Sequence, residues 1–226
     1  MSSVLPAAVL WDMDGTLVDT EPYWMAAEGP LVESFGGEWT HEKSLELVGL
    51  GLDDAARVLQ RAGVRLAVPE IVDRLTDEVR ASLRREGVPF RPGARQLLRD
   101  LRDAGVRTAL VTMSLRRMAT EIVELIDFEA FDLVIGGDDV PRPKPFPDPY
   151  LQACEALGVA PGQCVAIEDS PNGARSAVAA GVTTIGVPNV VSLAGSGVAE
   201  IWPTLEGCTP QDLADALDRH HRKARA

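Results

Sequence analysis

The stretch Ala7–Thr16, Ala-Ala-Val-Leu-Trp-Asp-Met-Asp-Gly-Thr, decides how the whole chain is read. Its apolar run has the length of a strand buried on both faces, and it stops at two carboxylates and a glycine. The same pattern recurs at Val106–Val111, Leu133–Ile135, Val165–Ile167 and Thr183–Val187, each run bounded by Gly, Asp or Pro and followed by a polar turn. Helical signals lie between the runs. Pro92-Gly93 opens a segment over Ala94–Ala104 that Gly105 stops; others span Leu115–Ile126, Pro149–Leu157 ahead of Gly158, and Asn172–Ala180 ahead of Gly181. Alternating strands and helices predict a doubly wound α/β domain with a parallel sheet.

One region departs from this alternation. From Pro22 to Gly87 the apolar spacings Ala55, Val58, Leu59, Ala62 and Ile71, Leu75, Val79, Leu83 are helical, with no β-branched run between them. The expected organisation is a core formed by residues 1–20 and 88–226, with an all-helical cap of residues 21–87 inserted after the first strand. Arg219–Ala226 reads as a short basic tail, a frayed solvated helix end.

Composition sets the broad class. Hydrophobic residues are 46% and charged residues 25% of 226, a globular balance that excludes disordered and collagen-like chains. Lys plus Arg is 22 against 34 for Asp plus Glu, a net charge of −12, so the overall field repels nucleic acid and anionic membranes. Any phosphate ligand then needs local cations, and Lys144 stands out because Lys43 and Lys223 are the other two lysines. Cys154, Cys164 and Cys208 are odd in number and lack C-x-x-C spacing, arguing for a reduced, cytoplasmic setting without a zinc site. Met1–Leu10 lacks the basic start of a signal peptide and reads as mature structure. Ala177–Ala199 is uncharged, but Gly181, Gly186, Pro188 and Asn189 break it into strand and loop rather than a membrane helix.

The polar turns carry the chemistry, because open α/β sheets bind ligands beyond the carboxyl ends of their strands. Asp12 and Asp14 share one tight turn, and Gly15 lets backbone approach a ligand. An Asx cap explains one such carboxylate; two suit attack on phosphorus or capture of a hard cation. Thr112-Met113-Ser114 follows the second strand and offers hydroxyls and backbone N–H groups to an anion, although Thr and Ser at helix starts also serve as simple caps. Lys144 sits between Pro143 and Pro145, with Pro147 nearby, in a stiff segment that aims its cation. Glu168 and Asp169 end the fourth strand, oxygen ligands of the kind Mg²⁺ prefers, or caps for the next helix.

In this order, the four elements resemble the haloacid dehalogenase superfamily, over Val9 to Val187. The resemblance implies a Rossmann-like core and phosphoryl transfer. It makes Asp12 the nucleophile, Asp14 the general acid and base, and Thr112 and Lys144 the phosphoryl grip, with Met113 and Ser114 in the same phosphate-binding turn. It also implies a Mg²⁺ site built from Asp12, Asp14 through its carbonyl, and Asp169, with Glu168 orienting a metal-bound water. The insert after Asp19-Thr20-Glu21-Pro22 resembles the cap of the subfamily that contains β-phosphoglucomutase and sugar-phosphate phosphatases.

That resemblance also separates activities. Dehalogenases and phosphonoacetaldehyde hydrolases lack a carboxylate at the place of Asp14. The mutases carry a cap His and a cap Arg where Trp24 and Leu52 align, so hydrolysis is expected over mutase action. A non-catalytic phospho-acceptor module is the remaining alternative. Trp24, Gly49 and Leu52 are the cap residues expected to meet the leaving group. The Gly49–Leu52 loop is neutral, which suits a sugar or polyol monophosphate, a small phosphorylated metabolite, as substrate.

Overall fold

The structure, a computed structural model, describes residues 3–225. Six parallel strands form one sheet: β1 (Ala8–Trp11), β2 (Arg107–Val111), β3 (Leu133–Ile135), β4 (Cys164–Glu168), β5 (Thr183–Gly186) and β6 (Glu200–Ile201). Their spatial order is β3-β2-β1-β4-β5-β6. The chain therefore builds outward from β1 in one direction and then restarts on its other side with β4. Between β1 and β4 lies the point where the winding reverses, and there a parallel sheet opens a crevice at its carboxyl edge.

Strand pleating sends alternate side chains to opposite faces. Val9, Trp11, Leu110, Val165 and Ile167 pack on one face with Leu97, Leu98 and Leu101 of α5 (Ala94–Asp103), Met118 and Ile122 of α6 (Arg116–Glu124), and Leu213 and Leu217 of α9 (Pro210–Arg225). Ala8, Leu10, Ala109, Val111 and Ala166 pack on the other face, against Tyr150, Ala153 and Leu157 of α7 (Asp148–Leu157) and Ala177 of α8 (Pro171–Ala179). Both faces are covered, which is why the strands read as continuous apolar runs rather than alternating ones.

The insertion is all helical: α1 (Glu21–Glu33), α2 (His41–Leu45), α3 (Leu52–Arg61) and α4 (Val68–Glu86). Ile71, Leu75, Val79 and Leu83 form the buried stripe of α4, while on α3 Ala55, Ala56 and Leu59 are buried and Val58, like Ala62 just past its end, only partly so. The chain leaves and returns side by side: Asp19 N donates to Pro89 O (2.7 Å), Arg91 N donates to Leu17 O (3.0 Å), and Val18 bridges Phe90 antiparallel.

The end of the chain is helical and solvated, as the sequence suggests: Arg219 lies in α9, Arg219, Arg222, Lys223 and Ala224 are exposed, and Arg219 pairs with Glu200 at 2.7 Å, while Leu213, Ala214, Ala216 and Leu217 dock the preceding turns. Ala226 lies outside the described residues. A sixth strand, β6, was not expected, because two residues carry no periodicity; Trp202 N and Ala199 N tie that segment to Gly186 O and Thr184 O. All three cysteines are free. No helix among the described residues is long and apolar enough to cross a membrane.

Leu110→Ala tests the central packing. Leu110 is fully buried on β2, so the truncation should cost about 2–5 kcal/mol, or roughly 4–20 °C in Tm for a chain of this size. Thermal melts by circular dichroism measure it; a loss under about 1 °C would show that the sheet face is not close-packed.

Candidate active site

Asp12 is the first residue past β1, and its N–H still donates to Ile167 O on β4 (3.1 Å), so its carboxylate is held at the sheet edge, 7% exposed. Lys144 reaches it from the proline-stiffened loop after β3. The ammonium donates to Asp12 Oδ1 (2.7 Å), Glu168 Oε1 (2.7 Å) and Val111 O (2.9 Å). An ammonium has three N–H bonds, and these contacts use them all. Tyr150 OH donates to the same Glu168 Oε1 at 2.5 Å, and its ring centroid lies 5.3 Å from Lys144 Nζ.

Carboxylates outnumber the cation. Burial, and then the charge on Glu168, push Asp12 up to about 7 against the pull of Lys144. Burial followed by Asp12 and Glu168 holds Asp169 well above the usual carboxylate range. Burial alone would lower Lys144, but Asp12 and Glu168 outweigh it and keep the ammonium charged. Burial beside Glu168 likewise keeps the Tyr150 phenol protonated.

Asp12, Glu168 and Asp169 each offer an oxygen within 4.8 Å of the others, all buried. Glu168 Oε2 is buried without a hydrogen-bond partner. Two glycines make the space: Gly15 takes φ +80°, and a Cβ there would fall on Asp169 Oδ2, while a Cβ on Gly173 would fall on Glu168 Oε2. A buried, oxygen-only, electron-rich cluster with an unpartnered oxygen fits a small divalent cation such as Mg²⁺. The Asp14 side chain is not part of that cluster.

Asp14 instead faces the phosphate-binding turn and the cap. Ser114 Oγ (2.7 Å) and Thr112 Oγ1 (3.3 Å) donate to its Oδ2. Thr20 Oγ1 and Trp24 Nε1 (3.2 Å) donate to its Oδ1. The hydroxyls expected to cradle an anion thus hold one, the Asp14 carboxylate. The expected free amides are partly spent: Thr112 N donates to Ile135 O and Ser114 N to Thr112 Oγ1.

These groups line one pocket between the sheet edge and the cap, with a cavity volume of about 90 Å³. Asp12, Asp14, Thr112, Met113, Ser114, Lys144 and Asp169 reach it from the core, and Trp24, Gly49 and Leu52 from the helical insertion; Glu168 stands behind it. Asn172 Nδ2 donates to Gly49 O (2.8 Å) and ties the cap loop to the core. Sequence reasoning missed Thr20, Glu21, Glu28 and Tyr150. Tyr150 is indistinguishable from a core position of α7, and Thr20 had only its nearness to Asp14 to suggest it.

A parallel α/β sheet with an acidic turn, a hydroxyl turn, a buried lysine and an acidic pair at successive strand ends defines a hydrolase class. Residues 9–187 match the haloacid dehalogenase-like hydrolases, and the chain belongs to that family. It is 32% identical over 182 residues to a phosphorylated carbohydrates phosphatase of Thermotoga maritima, covering 79% of this chain and 83% of that protein. It is 31% identical over 185 residues to hexitol phosphatase B of Escherichia coli, covering 80% and 83%. The structure of CbbY from Rhodobacter sphaeroides in complex with phosphate superposes with a TM-score of 0.82 at 27% identity, covering 92% of this chain and all of that one.

The excess of buried carboxylates gives a pH signature. A carboxyl whose folded pKa is raised contributes stability that is full below its unfolded pKa and is lost as pH rises through the folded value. For Asp12 at about 7 and Glu21 at about 8, the metal-free Tm should therefore climb as pH falls from about 8 to about 6. The carboxylates held low by arginines, such as Glu121 and Asp132, lose their contribution only in more acid solution. Mg²⁺ competes with those protons, so it should raise Tm more at the alkaline end of that window. Differential scanning fluorimetry with and without Mg²⁺ checks both; a Mg²⁺ shift indifferent to pH would argue against a metal at these carboxylates.

Proposed function

We propose that the protein is a Mg²⁺-dependent phosphatase that hydrolyses a small sugar or polyol monophosphate through an aspartyl-phosphate on Asp12. That it is a phosphoric monoester hydrolase follows from its family and its phosphatase relatives. The observation that carries the mechanism is the pair of carboxylates in one turn with opposite surroundings. Asp12 is pinned by the Lys144 ammonium beside Glu168, whereas Asp14 is held only by neutral donors facing the pocket.

The chemistry splits hydrolysis into two in-line displacements. An Asp12 oxygen attacks phosphorus as the bond to the ester oxygen breaks, and Asp14, which takes a proton from the incoming phosphate monoanion, passes it to that oxygen. Water then attacks the aspartyl-phosphate, Asp14 takes a proton from that water, and phosphate leaves as Asp12 is restored. Lys144 neutralises charge on Asp12 and the phosphoryl oxygens, while Thr112 and Ser114 exchange their bonds to Asp14 for bonds to those oxygens. Asp12, Asp169 and the Asp14 carbonyl would hold Mg²⁺, which would supply further positive charge where phosphoryl charge builds. Closure of the cap excludes water from the first step, and opening releases product. The mutase reading gains nothing from Trp24: the indole N–H donates to Asp14 and cannot shuttle a proton.

Asp12→Asn should abolish phosphate release from p-nitrophenyl phosphate with Mg²⁺ while leaving the circular dichroism unchanged. Activity within tenfold of wild type would end the covalent-aspartate reading. Asp14→Asn should slow turnover by about 10²–10⁴. Trp24→Phe keeps the ring but deletes the bond to Asp14, so kcat should fall several-fold by a common factor for every ester. A fall confined to some esters would mean that Trp24 touches the leaving group instead.

A further inference from the structure

The cap wall of the pocket is acidic. Glu21 and Glu28 of α1 line it, two helical turns apart, along with Leu47, Leu50 and Leu52, opposite Asp12, Asp14 and Asp169. Lys144 is the one cation among the described lining residues, and its three N–H bonds are already taken. Glu28 is 5% exposed, and its partners are neutral: Trp39 Nε1 at 3.3 Å, itself shared with Ser44 Oγ at 2.8 Å. A buried carboxylate without a cation is costly unless hydrogen-bond donors meet it, and nothing in the fold of α1 requires an acid there. Neither Trp39 nor Ser44 brings a charge.

We propose that Glu28 selects the leaving group, accepting hydrogen bonds from the hydroxyls of a neutral polyol or sugar and rejecting an ester whose far end is an anion. This rests on the phosphatase reading and sharpens it. A second phosphate or a carboxylate at the cap end would face Glu28 with no free cation to receive it, and like charges brought together in a partly desolvated site discriminate strongly. A hydroxyl-rich leaving group adds no charge and brings donors.

Matched six-carbon esters test this, because glucitol 6-phosphate and 6-phosphogluconate differ at the end remote from phosphorus, a hydroxymethyl in one and a carboxylate in the other. With Mg²⁺, wild type should favour glucitol 6-phosphate in kcat/KM by about tenfold or more, chiefly through KM. Glu28→Gln should shrink that ratio to within about threefold, and Glu28→Asp, which keeps the charge, should restore most of it. Melting curves of both variants separate loss of fold from loss of selection. Equal kcat/KM for the two esters in wild type, or a ratio untouched in a folded Glu28→Gln protein, overturns the assignment to Glu28 while leaving the phosphatase reading intact. Preference for glucosamine 6-phosphate over glucose 6-phosphate by tenfold, lost in Glu28→Gln, overturns it in favour of a cation-reading site. No phosphate from any of these esters or from p-nitrophenyl phosphate is the separate outcome that removes the phosphatase reading itself.

Discussion

The buried ammonium of Lys144 is the constraint on which the site depends. It sits 2.7 Å from both Asp12 and Glu168 with almost no solvent contact. Burying such a pair gains little net stability, because desolvation offsets most of the attraction, yet removing one partner costs about 3–5 kcal/mol by stranding the other charge. Asp12 and Glu168 come from strands that flank the winding reversal, and Lys144 from a third segment, so the ammonium fixes three loops relative to one another. Tyr150 completes the arrangement by donating to Glu168, which lets Glu168 hold Lys144 with one oxygen and leave the other unpartnered. One positive charge against three buried carboxylates leaves an excess of negative charge that a divalent cation would neutralise, making room for the charge of a phosphoryl group.

Much of this was legible in the sequence because it is local. The strands announce themselves as apolar runs, and the reactive residues follow them directly, so Asp12, Thr112, Glu168 and Asp169 could be placed from the ends of β1, β2 and β4. Lys144 was conspicuous because the chain otherwise relies on arginine and because prolines surround it. What stayed hidden depends on contacts across the fold. Tyr150 pairs with Glu168 from a helix face that reads as ordinary core. Glu28 lies on α1, whose mixed pattern Glu-Pro-Tyr-Trp-Met-Ala-Ala-Glu gives no apolar stripe by which to tell the inner side from the outer. The short β6 was missed for a related reason: a pairing partner far away in the chain, not local periodicity, defines it.

Asp14 shows how the cap and the chemistry are joined. Its two oxygens are divided, Oδ2 to Thr112 and Ser114 of the core and Oδ1 to Thr20 at the junction and Trp24 of α1. The carboxylate occupies the hydroxyls that the proposed mechanism gives to the phosphoryl group, so in that mechanism phosphate binding and release of Asp14 from Ser114 are the same event. A proton donor freed only when phosphate arrives, while Trp24 still holds its other oxygen, would be set for the leaving group and not for bulk water.

For such a device to turn over, the closed cap must be held weakly. The ties between insertion and core are of that kind. Asn172 grips one backbone carbonyl, Gly49 O. Arg80 and Arg84 of α4 both meet Glu121 of α6, and Arg117 of α6 meets Asp73 of α4. Arg84, Arg117 and Asp73 are more than a third exposed, and exposed ion pairs contribute about 0–1 kcal/mol each; Arg80 with Glu121 is the better buried of the set. The permanent connection is the pairing of residues 17–19 with 89–91, which lies at the base of the insertion and keeps its two chain crossings together. Paired backbone at the base and mostly exposed ion pairs at the rim suit the cap opening that the proposed mechanism uses for product release.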